Sequence, residues 1–440
     1  MSVEKEFVRR PNGLNERTQI SDGDLGARTA DVFVVGGEPT STYVRRAKNN
    51  PELRLKFCLE HGGALISVQG PTKCGKTILC RKTLPPEKHL WLDGGSIRNE
   101  GDFWFQLVSE LKVPTSEIIA ERDQSRTQKE LSFGFFKTLA DIFQIGPSGS
   151  YKSESGKDTT TSEKYEGERR ALAKKAMLAS GKTLVVDDFH LIPQYAHADI
   201  IKALKAPIDQ GLQCVLISIP ERGFDAAEAV PDMHGRVESV AFDPWDATDL
   251  AQIALMGFSA LNVTPAAAAV KRFADEAHGS PHLMQLFCRE LCLLKEVHEH
   301  QIEKQSIRVP NYEAFFKQVA QRIPDRRVTQ MINWRTRSER RLRNGGTADL
   351  YEIVFLSLQK LLPKRTITYG SIFKTIENLC QKSPSKHEIT RIFDMLEAKA
   401  KDEIEGPAVF YHLKDRKEVL LEDPFFAFFL KWGDWFVARR

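Results

Sequence analysis

Eight residues, Gly70-Pro71-Thr72-Lys73-Cys74-Gly75-Lys76-Thr77, constrain this chain more than any other segment. They fit the spacing G-x-x-x-x-G-K-[ST], with the apolar run ALISVQ (64–69) before them and TILCRKTL (77–84) after. A strand that feeds such a loop and then a helix turns successive backbone N–H groups inward, forming an anion nest at a positive helix end. Glycine supplies the unusual backbone angles and lets a phosphate approach closely. At this spacing Lys76 reaches the β- and γ-phosphates of a nucleotide, and the Thr77 hydroxyl is a ligand for Mg²⁺. All eight residues are therefore candidate nucleotide contacts. A chance glycine turn would not need the strand and helix that flank it.

A second signal lies about a hundred residues on, in TLVVDDFH (183–190). An apolar strand that ends in a carboxylate supplies the metal side of a phosphate site. Asp187 is placed to hold Mg²⁺ through its water shell, and Asp188 to orient or activate the attacking water. The competing reading is a buried strand followed by an Asp-Asp turn, and the loop at 70–77 weighs against it. The separation leaves room for an extra strand between the two motif strands.

Further short apolar runs, HLWLD (89–93), QCVLISI (213–219) and RVESVAF (236–242), alternate with helical patterns. That alternation predicts an α/β fold with a parallel sheet covered on both faces. VFVVGG (32–37) reads as one more short strand. Residues 1–30 are polar and aperiodic, an arm. The core spans 31–245 and is interrupted near 147–168 by a polar stretch nearly free of aliphatics, expected to be a mobile insertion. Residues 246–310 turn helical throughout, 311–346 form a basic linker ending in Asn344-Gly345-Gly346, and 347–440 form a last domain. That domain shows three helical runs and a strand–turn–strand, VFYHLKDRKEVLL, the outline of a winged helix.

At 440 residues, two or three cores are expected. The N-terminus has no apolar segment behind its charges, and the longest apolar runs are too short for a bilayer, so the expectation is a cytoplasmic chain without a membrane partner. Seven cysteines without a CxxC pair fit reduced, buried thiols rather than a disulfide framework or a zinc site. The net charge of +4 conceals a local excess, because 317–343 carries nine Lys/Arg against Asp325 and Glu339.

Together, the loop, the Asp187-Asp188 strand, a following strand ending near Ser218, and Gly279-Ser280-Pro281 in a helical region resemble the STAND branch of AAA+-like NTPases. The C-terminal VLLEDPFFAFFLKW is similar to the D-P-x-F-x-F run that closes the winged helix of prokaryotic members. The resemblance covers roughly 31–440. It implies a P-loop ATPase core, a helical lid whose Pro281 touches the nucleotide, ATP and Mg²⁺ as ligands, and assembly upon ATP binding. Asp188 stands where glutamate is usual, and no clear arginine follows the lid proline, which favours slow, switch-like hydrolysis.

The same resemblance places a γ-phosphate sensor at Ser218, and Arg222, just after Pro220-Glu221, is a further candidate for reaching phosphate. It puts a trans-acting arginine near Arg236, and base-pocket residues at Tyr43 and Arg45. Each has a plainer reading: a strand-end serine capping its own turn, a surface ion pair, a strand-entry arginine, a packed tyrosine. Pro281 at a helix start is explained by capping alone. Cys74, among cations, suggests a lowered thiol pKa, or simply a tolerated variable position.

No effector or repeat-sensor domain is recognisable, so a switch of this kind implies a separate protein partner, and bacterial relatives serve anti-phage defence or signalling. The alternative is an AAA+-like DNA-binding ATPase regulating transposition or replication. It rests on the Arg-rich 317–343 segment with Trp334. Against it, the helix expected to enter DNA, SKHEITRIFDMLEAKAK, carries Glu388, Asp394 and Glu397 among its lysines.

Overall fold

The computed structural model describes residues 26–46, 49–111, 170–171, 173–219, 233, 235–322, 330–331, 333–334, 336, 338–403 and 409–436. The expected insertion at 147–168, most of the N-terminal arm and Arg222 lie outside them.

Five parallel strands form the central sheet: β1 (Leu65–Gln69), β2 (His89–Asp93), β3 (Thr183–Asp187), β4 (Cys214–Ser218) and β5 (Val237–Ala241). Their order is β2-β3-β4-β1-β5, so β4 separates the two motif strands. Register runs Leu65 to Cys214 and Gln69 to Ser218 across β1 and β4, and Asp93 pairs with Asp187 across β2 and β3. Both faces are covered, as their near-continuous apolar composition requires. Leu184, Val186, Cys214 and Leu216 pack in one core, and Ile66, Val68, Val185 and Val215 in another. The helices around the sheet are α2 (Pro51–Glu60), α3 (Lys76–Thr83), α4 (Glu100–Glu110) and α5 (Gln194–Asp209), after a short α1 (Thr29–Val32). This strand order, with the glycine loop joining β1 to α3, is the P-loop NTPase fold.

The lid follows: α6 (Ala247–Ala260), α7 (Ala267–Glu276), α8 (Pro281–Leu294) and α9 (Tyr312–Arg322), with the small β6 (Val263–Pro265) and β7 (Gln305–Ile307). VFVVGG is not a strand. Val32 and Phe33 instead enter the lid core beside Phe258, with the two phenyl centroids 5.0 Å apart. Gly257 makes this possible, since a Cβ there would come within 2.2 Å of the Phe33 ring. The segment read as a basic linker is partly folded: Phe315, Phe316 and Val319 of α9 belong to the same lid core.

The last domain opens with the hairpin β8 (Glu339–Arg341) and β9 (Thr347–Asp349). Helices α10 (Leu350–Leu361), α11 (Tyr369–Leu379) and α12 (Lys386–Glu403) pack on a three-stranded antiparallel sheet. Its strands are β10 (Thr366–Thr368), β11 (Phe410–Leu413) and β12 (Glu418–Leu421), in the order β10-β12-β11. Asp349 begins α10 with a full capping box through Glu352. The acidic residues of α12 serve this fold: Glu388 bonds Arg340 at 2.6 Å, and Asp394 meets Lys414 Nζ at 2.8 Å. Trp334 is buried in the same core rather than offered to solvent.

One helix joins the two C-terminal cores. In α13 (Pro424–Trp432), Phe425 and Phe428 enter the lid core, while Phe426 and Leu430 enter the last domain. Lys431 and Trp432 both bond Glu276 of the lid, at 2.7 and 2.8 Å. No described helix is long and apolar enough to cross a membrane.

Candidate nucleotide site

The glycine loop leaves the carboxyl end of β1, where open α/β sheets place their ligands. Gly70 packs against Phe242, and a Cβ there would fall 2.3 Å from the Phe242 carbonyl oxygen. Gly75 caps α3 in the left-handed region, φ 99°, so the turn into the helix depends on glycine. Lys76 is buried, its Nζ donating to the carbonyls of Gly70 (2.8 Å) and Pro71 (2.7 Å). The Thr77 hydroxyl donates to Asp187 Oδ1 at 3.1 Å, so the two motif strands meet across β4.

Asp187 stands at the end of β3, and burial first, then the neighbouring Asp188, pushes its carboxyl up to about 6. A half-hidden carboxylate beside a second one suits a divalent cation, with Thr77 supplying the adjacent oxygen. Asp188 takes φ 49°, a conformation aspartate tolerates, and its side chain is half exposed. Its Oδ1 lies 4.0 Å from Nδ1 of the buried His190.

A cavity of about 480 Å³ opens from the loop toward the lid. Thr72, Lys73, Gly75, Lys76, Thr77, Asp188 and Pro281 all line it, as does Tyr43. Gly70, Pro71 and Cys74 do not. Pro281 is the first residue of α8, with Ser280 as N-cap, and the Ser280 hydroxyl also reaches the Lys73 carbonyl at 3.4 Å. Trp245 Nε1, just before the lid, donates to the Cys74 carbonyl at 2.7 Å, a second contact on the loop. His282 lines the same wall, where burial and the Lys73 cation hold its imidazole down to about 4.

Four expectations need correction or qualification. Arg45 points away, its side chain 78% exposed and 3.8 Å from Glu52; its neighbour Arg46 is the buried arginine of the wall. Arg46 donates to the carbonyls of Asp243 and Pro244, pairs with Asp249 at 3.6 Å, and stacks on Phe242 and Trp245. Arg236 sits at the far end of the sheet, where its carbonyl receives the Leu65 amide, and its guanidinium meets Asp209 at 3.1 Å. The Cys74 thiol is buried, which pushes its pKa up rather than down. Ser218 is buried at the end of β4 with no bond to its hydroxyl among the described residues, and it does not line the cavity. Tyr43 donates to Glu52 at 3.2 Å, and burial raises its pKa.

Two residues from the last domain complete the site, and no local signal in the sequence pointed to them. The Thr72 amide donates to Glu422 Oε1 at 2.6 Å, and Lys73 Nζ bonds both carboxylate oxygens of Asp423, at 3.0 and 2.8 Å. The Lys73 ammonium also lies 4.0 Å from the Phe425 ring centroid. Arg365 holds Glu422 from behind at 2.9 Å. The last domain thus grips the phosphate loop directly.

No family model matches the chain, and no curated protein matches it either. Among solved structures it is similar to a Walker-type ATPase of Pyrococcus abyssi (12% identity, TM-score 0.49, covering 91% of this chain and 99% of that one). The ORC1 protein of Aeropyrum pernix, solved in complex with DNA, gives 13% identity and a TM-score of 0.43, covering 91% and 94%. A STAND protein with a tetratricopeptide repeat sensor from Pyrococcus horikoshii gives 14% and 0.36, covering 86% of this chain and 41% of that one. What makes this chain a P-loop NTPase is its own strand order and loop geometry.

Proposed function

We propose that this chain is an ATP-binding, slowly ATP-hydrolysing switch of the STAND type, acting through a separate protein partner. The observation that carries this reading is the double contact of the phosphate loop with Glu422 and Asp423. A nucleotide phosphate and these carboxylates are all anions that seek the loop's N–H groups and Lys73. The phosphate state therefore sets how firmly the last domain, a winged helix in this reading, is held.

In this reading Lys76 leaves its two carbonyls to bind the β- and γ-phosphates. Thr77 and Asp187 would hold Mg²⁺, whose charge neutralises phosphate oxygens when it is bound. Asp188, facing the cavity, orients the attacking water. One methylene shorter than glutamate and half exposed, it makes a slow base, consistent with a timer rather than a motor. Pro281 and His282 bring the lid onto the nucleotide, and Trp245, Tyr43 and Arg46 line the same cavity. Assembly of copies on ATP binding belongs to the same proposal, as do a cytoplasmic location and a role in bacterial anti-phage defence or signalling.

The rival, a DNA-binding ATPase that regulates transposition or replication, finds less support in the described part of 317–343. There Arg322 is paired with Glu290 at 2.6 Å, Arg340 with Glu388 at 2.6 Å, and Trp334 is core. Steady-state ATP hydrolysis separates the two readings, measured with and without double-stranded DNA for wild type, Lys76→Ala and Asp188→Ala. Slow turnover, lost in both variants and indifferent to DNA, is expected. Strong stimulation by DNA would favour the rival, and a wild type that binds no nucleotide would end both.

A further inference from the structure

The cavity wall holds a polar group that the phosphate chemistry does not use. Gln285, one turn into α8 from Pro281, is only 4% exposed and lines the cavity with Thr42, Ile253 and Val34. Its Nε2 donates to Thr42 Oγ1 at 2.7 Å, and Thr42 Oγ1 donates to the Val32 carbonyl at 3.0 Å. The threonine hydroxyl has one proton, and Val32 takes it. Thr42 must therefore accept from Gln285, which fixes the amide with its NH₂ on Thr42 and its oxygen turned the other way. That oxygen, Oε1, is buried and has no hydrogen-bond partner among the described residues.

A buried carbonyl without a donor is a standing cost, relieved by a ligand that brings an N–H and increased by one that brings another acceptor. Val34, Val44 and Ile253 give the same cavity an apolar wall, as a flat heterocycle requires. Resting on the nucleotide reading above, we propose that Gln285 is the base-specificity residue. Its Oε1 accepts from the exocyclic amine of adenine and disfavours bases that carry a carbonyl oxygen at that position, hypoxanthine and guanine. Thr42 is the positioning residue that keeps the amide from turning over.

Titration calorimetry of the full chain with Mg²⁺ tests this, using ATP, ITP and purine riboside triphosphate, which carry an amine, a carbonyl or a hydrogen at one ring position, the carbonyl form also bearing a proton on the adjacent ring nitrogen. Wild type is expected to bind ATP about tenfold or more tightly than ITP, the margin that one buried donor–acceptor mismatch supplies. The purine riboside compound should fall between them. Gln285→Leu should still bind all three, with the ATP-to-ITP ratio near one. Thr42→Val, which removes the acceptor that orients the amide, should lower the ratio without abolishing binding. Equal affinity of wild type for ATP and ITP, or a ratio unchanged in Gln285→Leu or in Thr42→Val, overturns the assignment while leaving the nucleotide site intact. If wild type binds none of the three, the site reading falls and this inference with it.

Discussion

The Thr72 amide and the Glu422 carboxylate meet at 2.6 Å, joining the phosphate loop to a strand end 350 residues further along the chain. Asp423 repeats the contact on Lys73, and α13 begins at the next residue, Pro424. The loop is therefore tied to the start of a helix whose two faces lie in two different cores.

Neutralising this grip should favour the triphosphate. In Glu422→Gln/Asp423→Asn the loop no longer holds two competing charges. Affinity for a non-hydrolysable ATP analogue should rise by roughly 3- to 10-fold, the equivalent of about 1 kcal/mol for the charge-assisted bonds lost. Calorimetry on the double variant and on wild type gives the comparison. An unchanged or weakened affinity would mean that the carboxylates do not compete with phosphate.

The segment at 32–37 should prove structural although it forms no strand. Phe33 is fully buried against Phe258. Phe33→Ala is expected to cost about 3–5 kcal/mol, as for other large-to-small core changes. A fall in melting temperature by scanning calorimetry would show it, whereas a change within the error of wild type would place Phe33 outside the working core.

Stability should fall on mild acidification. His278 is buried within the lid, between α7 and α8, and burial holds its imidazole down to about 4 against an ordinary 6.5. Above 6.5 it is neutral in both folded and unfolded chains. Between 6.5 and 4 the unfolded chain binds the extra proton, so stability declines as pH falls through that window, by on the order of 3 kcal/mol at full extent. Glu276 opposes the shift, while Lys431 and Arg365 add to it. His282 acts in the same direction, and Asp187, raised to about 6, in the opposite one. His278→Asn, which suits the left-handed backbone there (φ 49°), isolates the effect. Its melting temperature should depend less on pH between 7 and 5 than that of wild type, and an identical slope would refute the assignment.

The cysteines should be silent in the folded state. All seven are buried and free, and Cys74 in the loop is 2% exposed. A thiol-reactive chromophore should titrate few or none in native buffer and all seven in denaturant. Rapid labelling of Cys74 in native protein would contradict the buried placement.

Where the chemistry is local the sequence disclosed it. Strand, glycine loop and helix at 64–84 are contiguous, and Asp187 and Asp188 end a strand whose apolar run is unmistakable. The helices and hairpin after 347 follow their periodicity for the same reason. What stayed hidden depends on direction or distance. Whether Arg45 or Arg46 enters the wall turns on one residue of register in an irregular segment. VFVVGG is as apolar as a strand, but its partners are Phe258 and the lid rather than another strand. Gln285 on α8 looks like any polar helix residue until Thr42 is brought to it from 243 positions away. The run EDPFF was legible as a domain ending, yet nothing adjacent to it says that its two carboxylates reach back to Thr72 and Lys73.

Small-angle scattering of the full chain is the most direct test of the switch, with Mg²⁺ and either ADP or a non-hydrolysable ATP analogue. If the γ-phosphate competes with Glu422 and Asp423, the analogue-bound protein has the larger radius of gyration, and Glu422→Gln/Asp423→Asn shifts the ADP-bound profile toward it. Superimposable profiles with the two nucleotides, at concentrations where calorimetry shows both bound, would contradict the account.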